Sequence, residues 1–265
     1  MVAWVIVFVC IGILGGLCAG LFGIGGGVIM VPCLYVIFKY MGMPHNALMH
    51  MSIATSLAAV IFNAASSSIT HWRRNNIDWQ HAGWTMIGIV IGAVIGPQIS
   101  KHLPSGFLAY IFGVLEMLIA VYIVFRRDRL VTNANQSPAR LTPFIAGVFI
   151  AIISSILGIA GGTFLVPLFI ALHLGARRAI GTSAACGLIL TIFASASYLF
   201  SMPNNLNLPY SEGYVNLPAW ISIAIASVIA APFGAILATS LPVILLKRLF
   251  AALLFVVGLS MIIFT

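Results

Sequence analysis

Two glycine clusters offer this chain anion chemistry without a charged side chain. The stretch Phe22-Gly23-Ile24-Gly25-Gly26-Gly27-Val28-Ile29-Met30-Val31-Pro32 recurs 135 positions later as Leu157-Gly158-Ile159-Ala160-Gly161-Gly162-Thr163-Phe164-Leu165-Val166-Pro167. A helix starting at Gly27 or Gly162 leaves about four amide hydrogens without intrahelical partners, and these carry the positive end of the helix dipole. The glycines just before it, Gly23, Gly25 and Gly26 in one copy and Gly158 and Gly161 in the other, let backbone amides point inward with no Cβ in the way. The same glycines could simply permit a tight turn between packed helices. Thr55-Ser56 and Thr182-Ser183 stand at matching places in the two copies. Such a pair can donate to an oxyanion or can satisfy its own helix carbonyls. Thr163 is a further hydroxyl without a counterpart, because Val28 holds that place in the first copy.

Two ionisable residues are singled out within apolar segments as functional candidates. Glu116 lies mid-segment, where a carboxylate is costly and is by default a functional candidate. It could carry a proton for coupled movement, or stay protonated and cap a hydroxyl; the second copy has Leu254 at its place. His50 has a titration range suited to a proton relay, and a hydrogen-bonded packing histidine is the plainer alternative. Cys10, Cys18, Cys33 and Cys186 lie in apolar runs without metal or redox spacing and read as packing residues. No metal, organic cofactor or nucleic-acid partner is indicated, and none of HExxH, GxSxG or a P-loop is present.

The elements that must hold these groups are membrane helices. Of 265 residues, 62% are hydrophobic and 6% charged, in near-continuous apolar runs, so the chain reads as an all-α integral membrane protein with the lipid bilayer as solvent. The first charged residue is Lys39, so the apolar start lacks the basic region of a secretory leader and is expected to be a retained segment. Segments are expected near 2–21, 28–39, 46–71, 79–100 and 106–125, then 142–157, 163–174, 180–200, 217–238 and 244–264. This divides the chain into a first repeat at 1–125, a polar, basic linker at 126–141 and a second repeat at 142–265. The second segment of each repeat is short for a span, so it either crosses obliquely or re-enters. Both readings give an odd number of crossings per repeat, and odd repeats must be inverted, with the broken short helices meeting near the midplane.

Charge agrees with inversion. With the linker in the cytoplasm, Arg73, Arg74, Arg126, Arg127, Arg129, Arg140, Arg177, Arg178, Lys247 and Arg248 all fall inside, and only Lys39 and Lys101 of the twelve basic residues fall outside. Both termini and the loop 201–216 are then expected outside. Gly12, Gly16 and Gly20, and again Gly88, Gly92 and Gly96, lie four apart on one helical face and suit close helix packing, within one chain or between copies of a homo-oligomer. Further matches support the duplication: Ile77-Asp78 with Val215-Asn216, Gly96 with Gly234, and Leu103-Pro104 with Leu241-Pro242.

Two glycine-rich breaks each followed five residues later by proline, together with Ala54-Thr55-Ser56-Leu57 and Gly181-Thr182-Ser183-Ala184, resemble the TauE/SafE sulfite-exporter family over nearly the whole chain. The resemblance implies an inner-membrane permease that exports sulfite, organosulfonates or other small sulfur-containing anions. With the residues above, the expectation is a secondary transporter: the helix starts at Gly27 and Gly162 hold the oxyanion, the Thr-Ser pairs add hydrogen bonds, and one half rocks against the other. Coupling, if to protons, runs through Glu116 or His50. The alternative is a passive channel or permease for a neutral solute or a cation, with helix carbonyls and Glu116 as ligands.

Overall fold

The computed structural model describes residues 2–22, 25–125, 141–201 and 208–264. Its elements in chain order are α1 (Val2–Phe22), α2 (Gly27–Tyr40), α3 (Leu48–Arg73), α4 (Trp79–Ser100) and α5 (Ser105–Phe125), followed by α6 (Leu141–Leu157), α7 (Gly162–Ala171) and α8 (Ala176–Leu199), a two-strand hairpin of β1 (Ser211–Glu212) and β2 (Val215–Asn216), then α9 (Leu217–Ser240) and α10 (Val243–Phe264). Six of the described helices are long and apolar enough to cross a membrane. The protein is an all-α, multi-pass membrane protein. The expected linker 126–141 lies, but for Leu141, outside the described residues, as do Gly23 and both chain ends.

Each half has the same local grammar. The short helices α2 and α7 start after a glycine in the left-handed region, Gly26 at φ 79° and Gly161 at φ 76°, and neither start has a side-chain cap. Both end in the same motif: the Met43 amide reaches back to the Phe38 carbonyl at 3.0 Å, and the Leu174 amide to that of Phe169 at 2.9 Å. The first copy places Gly42 at φ 73° in this turn, the second His173 at φ 64°. That turn ends α7 at Ala171, three residues before the expected end, and leaves room for α8 to begin at Ala176 rather than near 180.

The main helix pairings are unchanged when the halves are exchanged. α1 packs on α9 as α6 packs on α4; α2 packs on α3 as α7 packs on α8; α3 meets α9 as α8 meets α4. α3 with α8 and α5 with α10 are pairs that map onto themselves. The α1–α9 and α4–α6 pairs are close-packed glycine seams. A Cβ at Gly16 would collide with the Ser227 carbonyl and one at Gly20 with that of Ala231, while Gly88 and Gly92 sit on the Phe144 and Val148 carbonyls. Small residues let the backbones approach where lipid supplies no hydrophobic drive. Each seam joins one helix from each half.

The loop 201–216 contains the hairpin. Ser211 pairs with Asn216 and Glu212 with Val215, and Gly213 at φ 58° heads the two-residue turn. The turn presses on the end of α8, where a Cβ at Gly213 would strike the Leu199 carbonyl.

Candidate functional site

The two glycine breaks meet in the interior. A Cβ at Gly27 would lie 2.6 Å from the Gly158 carbonyl oxygen and 3.3 Å from Ser56 Oγ. At Gly25 it would lie 2.9 Å from the Ala160 Cβ and 2.9 Å from Val60 Cγ1. The space between the breaks therefore accepts one methyl group, which Ala160 supplies. The substitution is tolerated there because the backbone differs at this position: Gly25 has positive φ in the first break, whereas its counterpart Ala160 does not.

Helices α3 and α8 line this junction. Ile53, Ser56 and Val60 of α3, spaced three and four apart, touch Gly158, Gly27 and Gly25 respectively. On α8, Gly187 approaches the Ala160 carbonyl and Leu190 approaches Gly161, and Ser183 lies one turn before Gly187 on the same face. The first helical amides to find partners are Ile29 and Phe164, which bond to the Gly26 and Gly161 carbonyls at 3.2 and 3.0 Å. The amides before them, at Gly27, Val28, Gly162 and Thr163, belong to the orphan set of each helix start. Pro32 and Pro167, lacking N–H, also free the Val28 and Thr163 carbonyls of their usual helical donors.

The hydroxyls fall into two groups. Ser52, Ser155, Thr191 and Ser227 each donate to a carbonyl three or four residues back. Ser56, Ser154, Thr163 and Ser183 are instead shielded from solvent at the oxygen and have no hydrogen-bond partner among the described residues. Ser56 and Ser154 border the breaks directly, Ser154 Oγ being 3.6 Å from a Cβ at Gly161. Thr163 is the second residue of α7, and Ser183 faces the second break on α8. Sequence reasoning missed Ser154. The first copy has Ala19 there, and its methyl group lies 3.4 Å from a Cβ at Gly26. The signal was available in the repeat alignment, at the same offset that exposed Thr163 against Val28.

The threonines of the Thr-Ser pairs make bonds that neither sequence alternative contained. Thr55 Oγ1 accepts the Asn216 amide at 3.0 Å, and Thr182 Oγ1 accepts the Asp78 amide at 3.0 Å. Asn216 and Asp78 are the N-caps of α9 and α4, with side-chain oxygens accepting from the Ala219 and His81 amides at 3.1 Å. Each threonine thus clasps the start of a long helix in the opposite half.

His50 and Glu116 lie apart from these contacts. His50 Nε2 is 2.9 Å from the Ser100 carbonyl, and its ring stacks on Tyr214 of the hairpin at 5.3 Å. Its Nδ1 has no partner among the described residues. Six residues of α3, about 9 Å of helix, separate it from Ser56. Glu116 is fully buried on α5, and neither carboxyl oxygen has a hydrogen-bond partner among the described residues. No hydrogen bond joins it to either break among those residues.

A profile described as sulfite exporter TauE/SafE matches residues 8–261. The chain is 34% identical over 264 residues to a "Probable membrane transporter protein" of Haemophilus influenzae, covering 98% of this chain and 99% of that one. It is 28% identical over 256 residues to a protein of the same description from Methanocaldococcus jannaschii, covering 96% and 93%, and 26% identical over 214 residues to the probable membrane transporter YunE of Bacillus subtilis, covering 74% and 78%. Glycine breaks meeting inside a duplicated helical bundle, and a profile match spanning both of them, lead to one assignment: the chain belongs to the sulfite exporter TauE/SafE family of membrane transporters.

Proposed function

We propose that this transporter exports a small sulfur-containing oxyanion, sulfite or an organosulfonate, across the plasma membrane by alternating access. The observation that carries the reading is the set of buried, unpartnered hydroxyls at two opposed helix starts. A buried hydroxyl without a partner costs about 1–3 kcal/mol, and an oxyanion admitted when the packed breaks part would find donors in Ser56, Ser154, Thr163 and Ser183 and in the amides at Gly27 and Gly162. Three of those four hydroxyls belong to the second half, so the anion sits nearer Gly162 than Gly27. Binding by neutral donors alone is weak enough for release.

The charge distribution supports an inverted pair of repeats with the 126–141 linker in the cytoplasm and both termini outside. The seams refine the motion. Rocking one repeat as a unit would shear both α1–α9 and α4–α6, so the bodies that move are these mixed pairs, with the breaks between them. Glu116 supplies the proton site, because an unpartnered buried carboxyl is stable only when neutral and loses that proton only when water or a partner reaches it. The test is flux of radiolabelled sulfite in proteoliposomes with and without a pH gradient. Flux that follows the gradient in the wild type and ignores it in Glu116→Gln is expected; absence of sulfite and sulfonate flux under both conditions overturns the reading.

The freed Val28 and Thr163 carbonyls favour one competing reading, a cation permease. Competition by cations but not by sulfite would select it.

A further inference from the structure

We infer that Thr55 and Thr182 are positioning residues that close the two ends of the transport path, each by holding the opposite half's helix start across the break. The inference rests on the transport reading above. The two clasps are equivalent under exchange of the halves, joining α3 to α9 and α8 to α4 through a backbone amide and a threonine oxygen, 3.0 Å in both cases. Under an inverted arrangement they lie at opposite ends of the protein. Both are closed here, and the glycine breaks between them are packed against each other, so the structure is occluded.

The local chemistry suits a contact that opens and closes. The amide at an N-cap position has no helical acceptor, so when the clasp parts it must find water or another acceptor, and that happens only when solvent enters from that end. The threonine also fixes its neighbour. With Thr55 and Thr182 turned toward the opposite half, Ser56 and Ser183, one residue on and about 100° around the helix, are left without a partner. Room for movement is visible at the hairpin end. Cavities of about 280 and 160 Å³ flank the start of α9, one lined by Trp4, Phe8 and Asn216, the other by Ala58, Val215 and Leu217. Asn216 of the clasp lines the first of them.

The experiment reads sidedness rather than substrate. In a background with the four native cysteines replaced by serine, Ser183→Cys reports opening in Thr55→Val, and Ser56→Cys reports opening in Thr182→Val. Each is labelled with a membrane-impermeant maleimide from either side of oriented vesicles. Losing one acceptor hydrogen bond is expected to raise labelling on the order of five- to tenfold, from the hairpin end in Thr55→Val and from the opposite end in Thr182→Val. Thr→Ser at each position, which keeps the oxygen, is expected to restore wild-type labelling. Unchanged labelling, or both variants opening to the same side, overturns the inference. Should a valine variant fail to insert, Thr55→Ala and Thr182→Ala carry the same prediction. A wild type without sulfite flux removes the proposed substrate and leaves this sidedness test intact.

Discussion

The two glycine breaks are copies of one another built to different tolerances. In the first, Gly26 packs against backbone: a Cβ there would strike the Gly15 carbonyl, with the Ala19 methyl beside it. In the second, the corresponding Gly161 faces the flexible ends of Leu165 and Leu190 at 3.1 Å, with Ser154 Oγ beyond. At Gly26 the first break is closed by backbone, whereas the second meets side chains at Gly161 and carries the extra hydroxyls Ser154 and Thr163. Duplication supplied two equal helix starts; divergence added hydroxyls to one of them.

The largest expected effect tests that contrast directly. Gly26→Ala adds a backbone collision to left-handed strain of roughly 1–2 kcal/mol, whereas Gly161→Ala adds the strain with contacts that side chains can relieve. Flux is lost in both, and thermal stability in detergent falls markedly further in Gly26→Ala; equal losses would erase the distinction. Next, Glu116→Leu copies the second half's Leu254 into the first. Replacing an unpartnered buried carboxyl should raise stability by about 1–3 kcal/mol while abolishing the response of flux to a pH gradient, measured by thermal unfolding and vesicle transport together.

Serine truncations probe the ligand face more gently. Because their buried oxygens have no partner, Ser56→Ala and Ser183→Ala should raise stability by about 1–3 kcal/mol yet raise the KM for flux several-fold. Ser154→Ala should raise KM as well, and Ala19→Ser, its mirror, should not lower it.

A smaller effect separates the clasps. Burial pushes the Asp78 carboxyl up, but hydrogen bonds from the His81 ring and amide, the His81 charge and the Gln80 amide outweigh it and hold Asp78 below its ordinary 3.8. A depressed carboxyl contributes stability that is present above its ordinary value and is lost as pH falls through the lowered one. Acid should therefore loosen the Thr182–Asp78 clasp below about pH 4, seen as increased thiol labelling from that end. Asn216 does not titrate, and Asp78→Asn should flatten the response. The smallest effect is His173→Gly, which relieves left-handed strain in the turn where the first half already has Gly42, for a gain of about 1 kcal/mol or less.

Most helix boundaries were legible because apolar runs, glycine breaks and proline-marked ends repeat in two copies, and each copy constrains the other. α7 was overextended because nothing in His173 advertises a left-handed residue. The hairpin was hidden by strands of two residues, too short for any alternation, and by a register set through Gly213 against Leu199. For the site, glycine positions and the Ser56–Ser183 pair stood out as candidates. The roles of Thr55 and Thr182 did not, because their partners lie 161 and 104 positions away and belong to backbone, which has no residue type to recognise. What the sequence did contain was two matched pairs, Thr55 with Thr182 and Asp78 with Asn216, and their crossing only becomes visible once the halves are seen to interlock.

The α1–α9 seam has a consequence for how the protein is made. During synthesis, α1 enters the membrane with Gly12, Gly16 and Gly20 facing lipid, and the helix that covers them is nearly the last to appear. At roughly 5–20 residues per second, that wait is on the order of ten to forty seconds, whereas α4 gains its partner α6 soon after leaving the ribosome. An uncovered strip of small residues is a standing invitation to other helices. Chains interrupted before α9 are therefore expected to be captured by membrane quality control through α1, so the end of the polypeptide decides whether its beginning is kept.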